Sequence, residues 1–178
     1  MFERIGSFAS NGLAKAKLDN FHGYINTRGE KMFTPKYRLF DEFDDFGFAL
    51  VQQKGKYGYI DANGELKIPC QYSDAGSFLG TGLAKVQIGK RWGFIDVKGN
   101  MPIPPTFNDV SGFINGKLAI FTTDEGMNGC VDLKGDVVID PVYDEIDFTE
   151  IDEVLFVVRD GCSGYLSLDG RWISDYRV

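Results

Sequence analysis

Residues 83–107 read LAKVQIGKRWGFIDVKGNMPIPPTF, and the remainder of the chain is copies of this stretch. It holds the one literal Trp-Gly pair, Trp92-Gly93, preceded by a strand-like run and followed by a turn marked by Asp96 and Gly99. With the register set on the second residue of that pair, the copies fall at Gly23, Gly58, Gly93, Gly129 and Gly164, in steps of 35, 35, 36 and 35. A second glycine follows each, at Gly29, Gly64, Gly99, Gly135 and Gly170. Two aromatic columns keep the same step, Phe8-Phe43-Phe78-Phe113-Phe148 and Tyr37-Tyr72-Phe107-Tyr143, the latter extended to Phe2 and Val178 at its ends.

Within one copy the hydrophobic period is 2. In Leu83-Ala84-Lys85-Val86-Gln87-Ile88 large apolar residues alternate with small or polar ones, which is the pattern of a half-buried strand. Asp19-Asn20, Gly55-Lys56, Gly89-Lys90 and Asp160-Gly161 then supply tight connections tolerant of positive φ. The next strand, Gly-Tyr-Ile-Asp at 58–61 and Gly-Phe-Ile-Asp at 93–96, stops at Asp/Asn-x-x-Gly, a turn whose acidic side chain accepts backbone N–H groups. A short third strand ends at Pro35, Pro69, Pro104-Pro105 or Pro141, because proline has no N–H for a central ladder. No window supports a helix of ordinary length, with room for one helical turn after each Tyr column.

The expected fold is therefore all-β, five antiparallel hairpin units in one domain, residues 1–178, with repeats at about 2–36, 37–71, 72–106, 107–142 and 143–178. A unit this small cannot bury both faces, so neighbours supply its core. Two arrangements satisfy that: an open, twisted stack, favoured because 35 residues is thin for a four-stranded blade, and a closed ring or barrel of short blades.

Composition narrows the function. The apolar runs are far too short to span a bilayer, and MFERIGSF lacks a basic start followed by an apolar core, so no secretory signal is expected. Cys70, Cys130 and Cys162 form no Cys-x-x-Cys spacing, which points to reduced thiols in a cytoplasmic protein. The net charge of −7 argues against direct nucleic-acid or anionic-membrane binding. That charge is uneven: residues 1–106 hold 14 Lys/Arg and 11 Asp/Glu, whereas residues 107–178 hold 5 and 15.

The pattern G-K-x-W/Y-G-Y/F-I-D-x-x-G-x-x-x-I-P-x-x-Y, followed by F-x-x-G-L-A, resembles the bacterial WG-repeat family, also called KWG repeats. Residues 43–107 carry the likeness best, in Gly55-Lys56-Tyr57-Gly58-Tyr59-Ile60-Asp61 and Lys90-Arg91-Trp92-Gly93-Phe94-Ile95-Asp96. The Trp column departs from the pattern at Asn128 and Ser163. The resemblance implies an all-β repeat scaffold used for binding, with no catalytic motif to carry over.

The residues by themselves agree. The Asp column (Asn26, Asp61, Asp96, Asp132) reads as turn capping rather than calcium ligation, since the spacing lacks the alternating acids and distal Glu of a calcium loop. His22, the sole histidine, sits in an aromatic column and has no relay partner; no phosphate loop is present. Neither a cofactor nor a metal is expected, and the chain reads as a non-enzyme. One feature exceeds what the repeat needs. Between Gly135 and Val158 there is no basic residue, yet the window holds Asp136, Asp140, Asp144, Glu145, Asp147, Glu150, Asp152 and Glu153. Such a surface attracts a basic partner, with Tyr143, Phe148 and Phe156 as candidate aromatic anchors. The sharpest expectation is an immunity- or inhibitor-type protein that masks a nucleic-acid-cleaving toxin. The alternative is a small-ligand or carbohydrate-binding module that stacks sugars on the repeated aromatics.

Overall fold

Alternating side chains become paired strands in every copy. The computed structural model describes residues 4–18, 21–33, 37, 39–114 and 116–176; the expectations placed on Phe2, Asp19-Asn20, Pro35 and Val178 lie outside them. Among the described residues there are five four-stranded sheets and no helix. The first holds β1 (Arg4–Ile5), β2 (Leu13–Leu18), β3 (Phe21–Asn26) and β4 (Lys31–Phe33). The second holds β5 (Leu39–Phe43), β6 (Ala49–Gln53), β7 (Lys56–Ile60) and β8 (Leu66–Tyr72). The third holds β9 (Asp74–Ala75), β10 (Leu83–Ile88), β11 (Arg91–Asp96) and β12 (Ile103–Phe107). The fourth holds β13 (Asp109–Val110), β14 (Ala119–Thr122), β15 (Asn128–Val131) and β16 (Val137–Tyr143). The fifth holds β17 (Glu145–Phe148), β18 (Val154–Arg159), β19 (Cys162–Ser167) and β20 (Trp172–Tyr176). Strands are neighbours in chain order within each sheet, as in a meander.

Each copy thus carries one strand more than the expected hairpin with a third strand. The extra strand occupies the place where a helical turn was allowed. Asp74 and Ala75 pair with Gln87 and Val86, and Asp109 and Val110 with Thr122 and Phe121. Strands of two residues are too short to show a period of 2, so only the pairing reveals them.

The hairpin turns follow the glycines. Lys54-Gly55 and Asp160-Gly161 both take positive φ, as a type I′ turn demands, which moves the second turn one residue earlier than Gly55-Lys56. Asp/Asn-x-x-Gly works as a side-chain-capped turn. Asp61 Oδ1 accepts the N–H groups of Asn63 (2.9 Å) and Glu65 (3.0 Å), and Asp96 Oδ1 those of Lys98 (2.8 Å) and Asn100 (2.9 Å). Asn26 and Asp132 make the same pair of bonds.

The Trp-Gly glycine has a different task. A Cβ at Gly93 would lie 2.5 Å from the Ile103 carbonyl oxygen and 2.7 Å from the Pro104 carbonyl carbon; Gly58 and Gly129 meet Ile68 and Ile139 in the same way. In sheets two and four the pairing steps over a bulge there: Tyr57 faces Tyr72 while Tyr59 faces Ile68, and Asn128 faces Tyr143 while Cys130 faces Ile139. The proline segment of the outer strand folds over the glycine, and only a hydrogen leaves room.

The chain divides into two compact units, Met1–Lys90 with Phe94–Met101, and Arg91–Gly93 with Pro102–Val178. In the first, Tyr59, Ile68 and Tyr72 of one sheet meet Phe78, Ala84, Val86 and Ile95 of the next. Tyr24 likewise packs with Phe43, Ala49, Val51 and Ile60. In the second, Leu118, Cys130, Ile139, Tyr143, Ile146, Leu155, Val157 and Leu166 form one buried cluster.

Candidate partner-binding surface

The acid-rich window lies in the second unit, on β16, the joint after it, β17, and the loop to β18. Strand alternation sorts its side chains. On β17, Ile146 is buried and Phe148 half-buried against the core, so Glu145 and Asp147 point to the other face, and both are exposed. Asp140 is exposed beside buried Ile139 on β16. Glu150, Asp152 and Glu153 are exposed in the connecting loop, where Glu153 takes a positive φ of 65°.

Two of the eight carboxylates serve the fold. Asp144 Oδ2 accepts the Asp160 N–H at 2.8 Å, which ties the joint to the β18–β19 turn. Glu153 Oε1 lies 2.5 Å from Lys117 Nζ, and that ammonium holds its carboxyl below the ordinary glutamate range. Lys117 and Leu168 join Asp152 and Glu153 around a hollow of about 370 Å³. Lys117 stands a repeat earlier in the chain, and nothing in the acid-rich window itself announces it. Asp140, Glu145, Asp147, Glu150 and Asp152 enter no ion pair among the described residues.

The aromatic anchors fare differently. Tyr143 is buried at 8% exposure and belongs to the core, whereas Phe148 is half-buried, packed against the same cluster with part of its surface outside it. The Tyr column needs partners across the sheet, and the core claims them. Phe156 is half-buried and rests edge-on to Tyr165 at 5.7 Å. Of the large apolar side chains that stand out in this unit, Ile151, Trp172 and Ile173 are the most exposed, at 66%, 54% and 54%. All three fall outside the glycine and aromatic columns of the repeat, so those columns do not announce them.

The repeated aromatics are mostly inward. Tyr59 and Phe94 are buried, whereas Tyr57 and Trp92 are half-buried. Tyr57 lines a cleft of about 390 Å³ in the first unit with Gln52, Asp41, Asp74 and Lys15. No group of three or more His, Cys, Asp or Glu among the described residues is placed to hold a metal ion. Burial pushes the Cys130 thiol up to about 12, so it stays protonated; Cys70, Cys130 and Cys162 are all free thiols.

Against this geometry the relatives can be placed. The profile of the WG-containing repeat matches residues 23–57, 57–92, 92–125 and 129–161. The chain belongs to the WG-containing-repeat family. No curated protein matches this WG-repeat chain. Among solved structures, a crystal structure described as the eukaryotic initiation factor is 11% identical at a TM-score of 0.57, over 99% of this chain and 54% of that one. Kluyveromyces lactis Hsv2 with its complete loop 6CD is 13% identical at 0.51, over 93% and 59% of the two chains. KlHsv2 with loop 6CD replaced by a Gly-Ser linker is 13% identical at 0.51, over 98% and 67%. At such identities the likeness is one of fold, and the WG-repeat chain spans about half the length of the first of them, 54%.

Proposed function

We propose that this WG-repeat chain is a non-enzymatic protein-binding module that uses the carboxylates of its second unit to cover a basic partner. The observation that carries the reading is the set Asp140, Glu145, Asp147, Glu150 and Asp152, exposed and without ion pairs among the described residues. Unneutralised carboxylates repel one another, and a cationic surface relieves that repulsion while it steers the encounter. In its sharpest form the chain is a cytoplasmic immunity or inhibitor protein whose partner is a nucleic-acid-cleaving toxin with a positive groove. Neither nucleic acid nor membrane is bound directly. A repeat of about 35 residues does form a four-stranded sheet, so the open array loses the reason that favoured it; a closed ring of blades stands beside it, and small-angle scattering separates an elongated particle from a compact one.

A second reading keeps a small polar ligand such as a sugar, on the strength of the Tyr57 cleft with its amide and carboxylates. The inward placement of Tyr59 and Phe94 speaks against one sugar site per repeat.

The test is affinity capture from cells of the native organism with the parent chain and with Glu145→Lys/Asp147→Lys/Glu150→Lys/Asp152→Lys. A basic protein retained by the parent and lost by the reversal supports the reading. Equal retention by both, or recovery of acidic proteins alone, removes it.

A further inference from the structure

The fifth sheet lacks a safeguard that the middle sheets possess. In β8, β12 and β16 the outer edge strand carries Pro69, Pro104-Pro105 and Pro141. Prolines and bulges of this kind spoil an edge as a template for another strand. The strand β20, WISDY, has no proline. Ser163, Gly164 and Tyr165 pair continuously with Tyr176, Asp175 and Ser174, with one irregularity before Trp172. Among the described residues no strand pairs on the outer side of β20, and Trp172 and Ile173 stand exposed on it at 54% each. The opposite edge of the same sheet, β17, carries the charged guards Glu145 and Asp147.

We propose that β20 is a docking edge that takes an extended, basic segment of a partner protein as an additional strand. Main-chain hydrogen bonds would supply affinity, and exposed Trp172 and Ile173 would pack against side chains of that segment. A second copy of this chain is the poorer occupant. Five residues at about 3.4 Å each give an edge of about 17 Å, too short to bury the roughly 800 Å² per partner of a stable dimer. Residues 107–178 hold 5 Lys/Arg against 15 Asp/Glu, so two copies repel where a basic segment is drawn in. The basic character of the occupant rests on the function proposed above; the strand-addition mode rests on β20 alone.

The experiment titrates the full chain with a short peptide of alternating valine and lysine and reads tryptophan fluorescence, with Trp172→Phe to assign the signal. Two further peptides carry N-methyl groups on one or the other alternate set of residues. Because a strand's N–H groups point to alternate sides, one methylated peptide should lose roughly tenfold or more in affinity while the other binds like the parent. The charge reversal at Glu145, Asp147, Glu150 and Asp152 should weaken the parent peptide several-fold at low salt. No binding of the parent peptide, or equal binding of both methylated forms, overturns the docking edge. A dimer of the chain alone that Ile173→Lys dissolves also overturns it, by giving the edge to a second copy. If the methylation asymmetry persists while charge reversal changes nothing, the edge stands and the basic-partner reading falls; the converse pattern spares that reading and sinks the edge.

Discussion

The Tyr59 hydroxyl donates to the Gly76 carbonyl oxygen at 2.6 Å, seventeen residues on and in the following repeat, and its ring lies 4.8 Å from that of Phe78. Tyr24 does the same one repeat earlier, donating to the Asp41 carbonyl with its ring 4.6 Å from Phe43. Burial pushes both phenols well above their ordinary range, so they are donors at neutral pH. Each pair fastens one sheet to the next by a hydrogen bond and a ring contact together. Tyr59→Phe should therefore cost about 1–3 kcal/mol in urea unfolding, because it leaves a carbonyl without its donor. Phe78→Ala should cost about 3–5 kcal/mol. Phe94, the third copy of the column, has no hydroxyl to lose and serves as the internal control.

Gly93→Ala tests the close approach of the outer strand. Its Cβ would stand 2.5 Å from a backbone oxygen, so the strand must move, at about 1–3 kcal/mol or more. Gly80, where a Cβ would meet nothing within 4 Å and φ is not positive, should accept alanine within about 0.5 kcal/mol. Thermal melts of the two variants should separate clearly; overlapping curves would show that the glycine column is an inheritance of sequence and not a need of packing.

Gly99 sits at φ +82°, where a β-branched residue is strained. Gly99→Val should lose about 1–3 kcal/mol. Trp92→Ala should lose less than the roughly 3–5 kcal/mol of a fully buried aromatic, because Trp92 is only half-buried. A denaturation series on both checks the turn and the Trp column at once.

The turn carboxylates set an acid limit. Hydrogen bonding by Asn100, helped by the Asn100 and Lys98 backbone N–H groups, holds the Asp96 carboxyl below its ordinary range; Arg171, then Ser167, lowers Asp169 to about 2. A depressed native pKa means that the stability is present above the unfolded value and is lost as pH falls through the folded one. Asp96→Asn should keep the cap, as Asn26 does in the first copy, and remove that residue's share of the acid sensitivity. Melting temperatures from pH 6 down to pH 2 for parent and variant should converge toward the acid end. Parallel curves would contradict the assignment.

The repeat step, the period-2 strands and the Asp-x-x-Gly turns were legible in the sequence because each is a local regularity of a few residues. Strands such as β9 and β13 were not, since two residues carry no period and exist only through pairing with Val86-Gln87 and Phe121-Thr122. The Trp-Gly glycine marked the register, but its reason lies ten residues on, in the Ile103 carbonyl that folds back over it. The acid-rich window was visible as composition; that Tyr143 and Phe148 face inward and that Lys117 neutralises Glu153 depends on tertiary packing. Alternation along β17 would have separated Glu145 and Asp147 from Ile146 and Phe148 had that strand been assigned.

The central claim is that unneutralised carboxylates on the second unit bind a cationic partner, and the salt dependence of that complex tests it most directly. Affinity for the captured partner should fall steeply as ionic strength rises, and the reversal at Glu145, Asp147, Glu150 and Asp152 should weaken it by at least roughly tenfold at low salt and flatten the slope. An affinity indifferent both to salt and to the reversal would contradict the account.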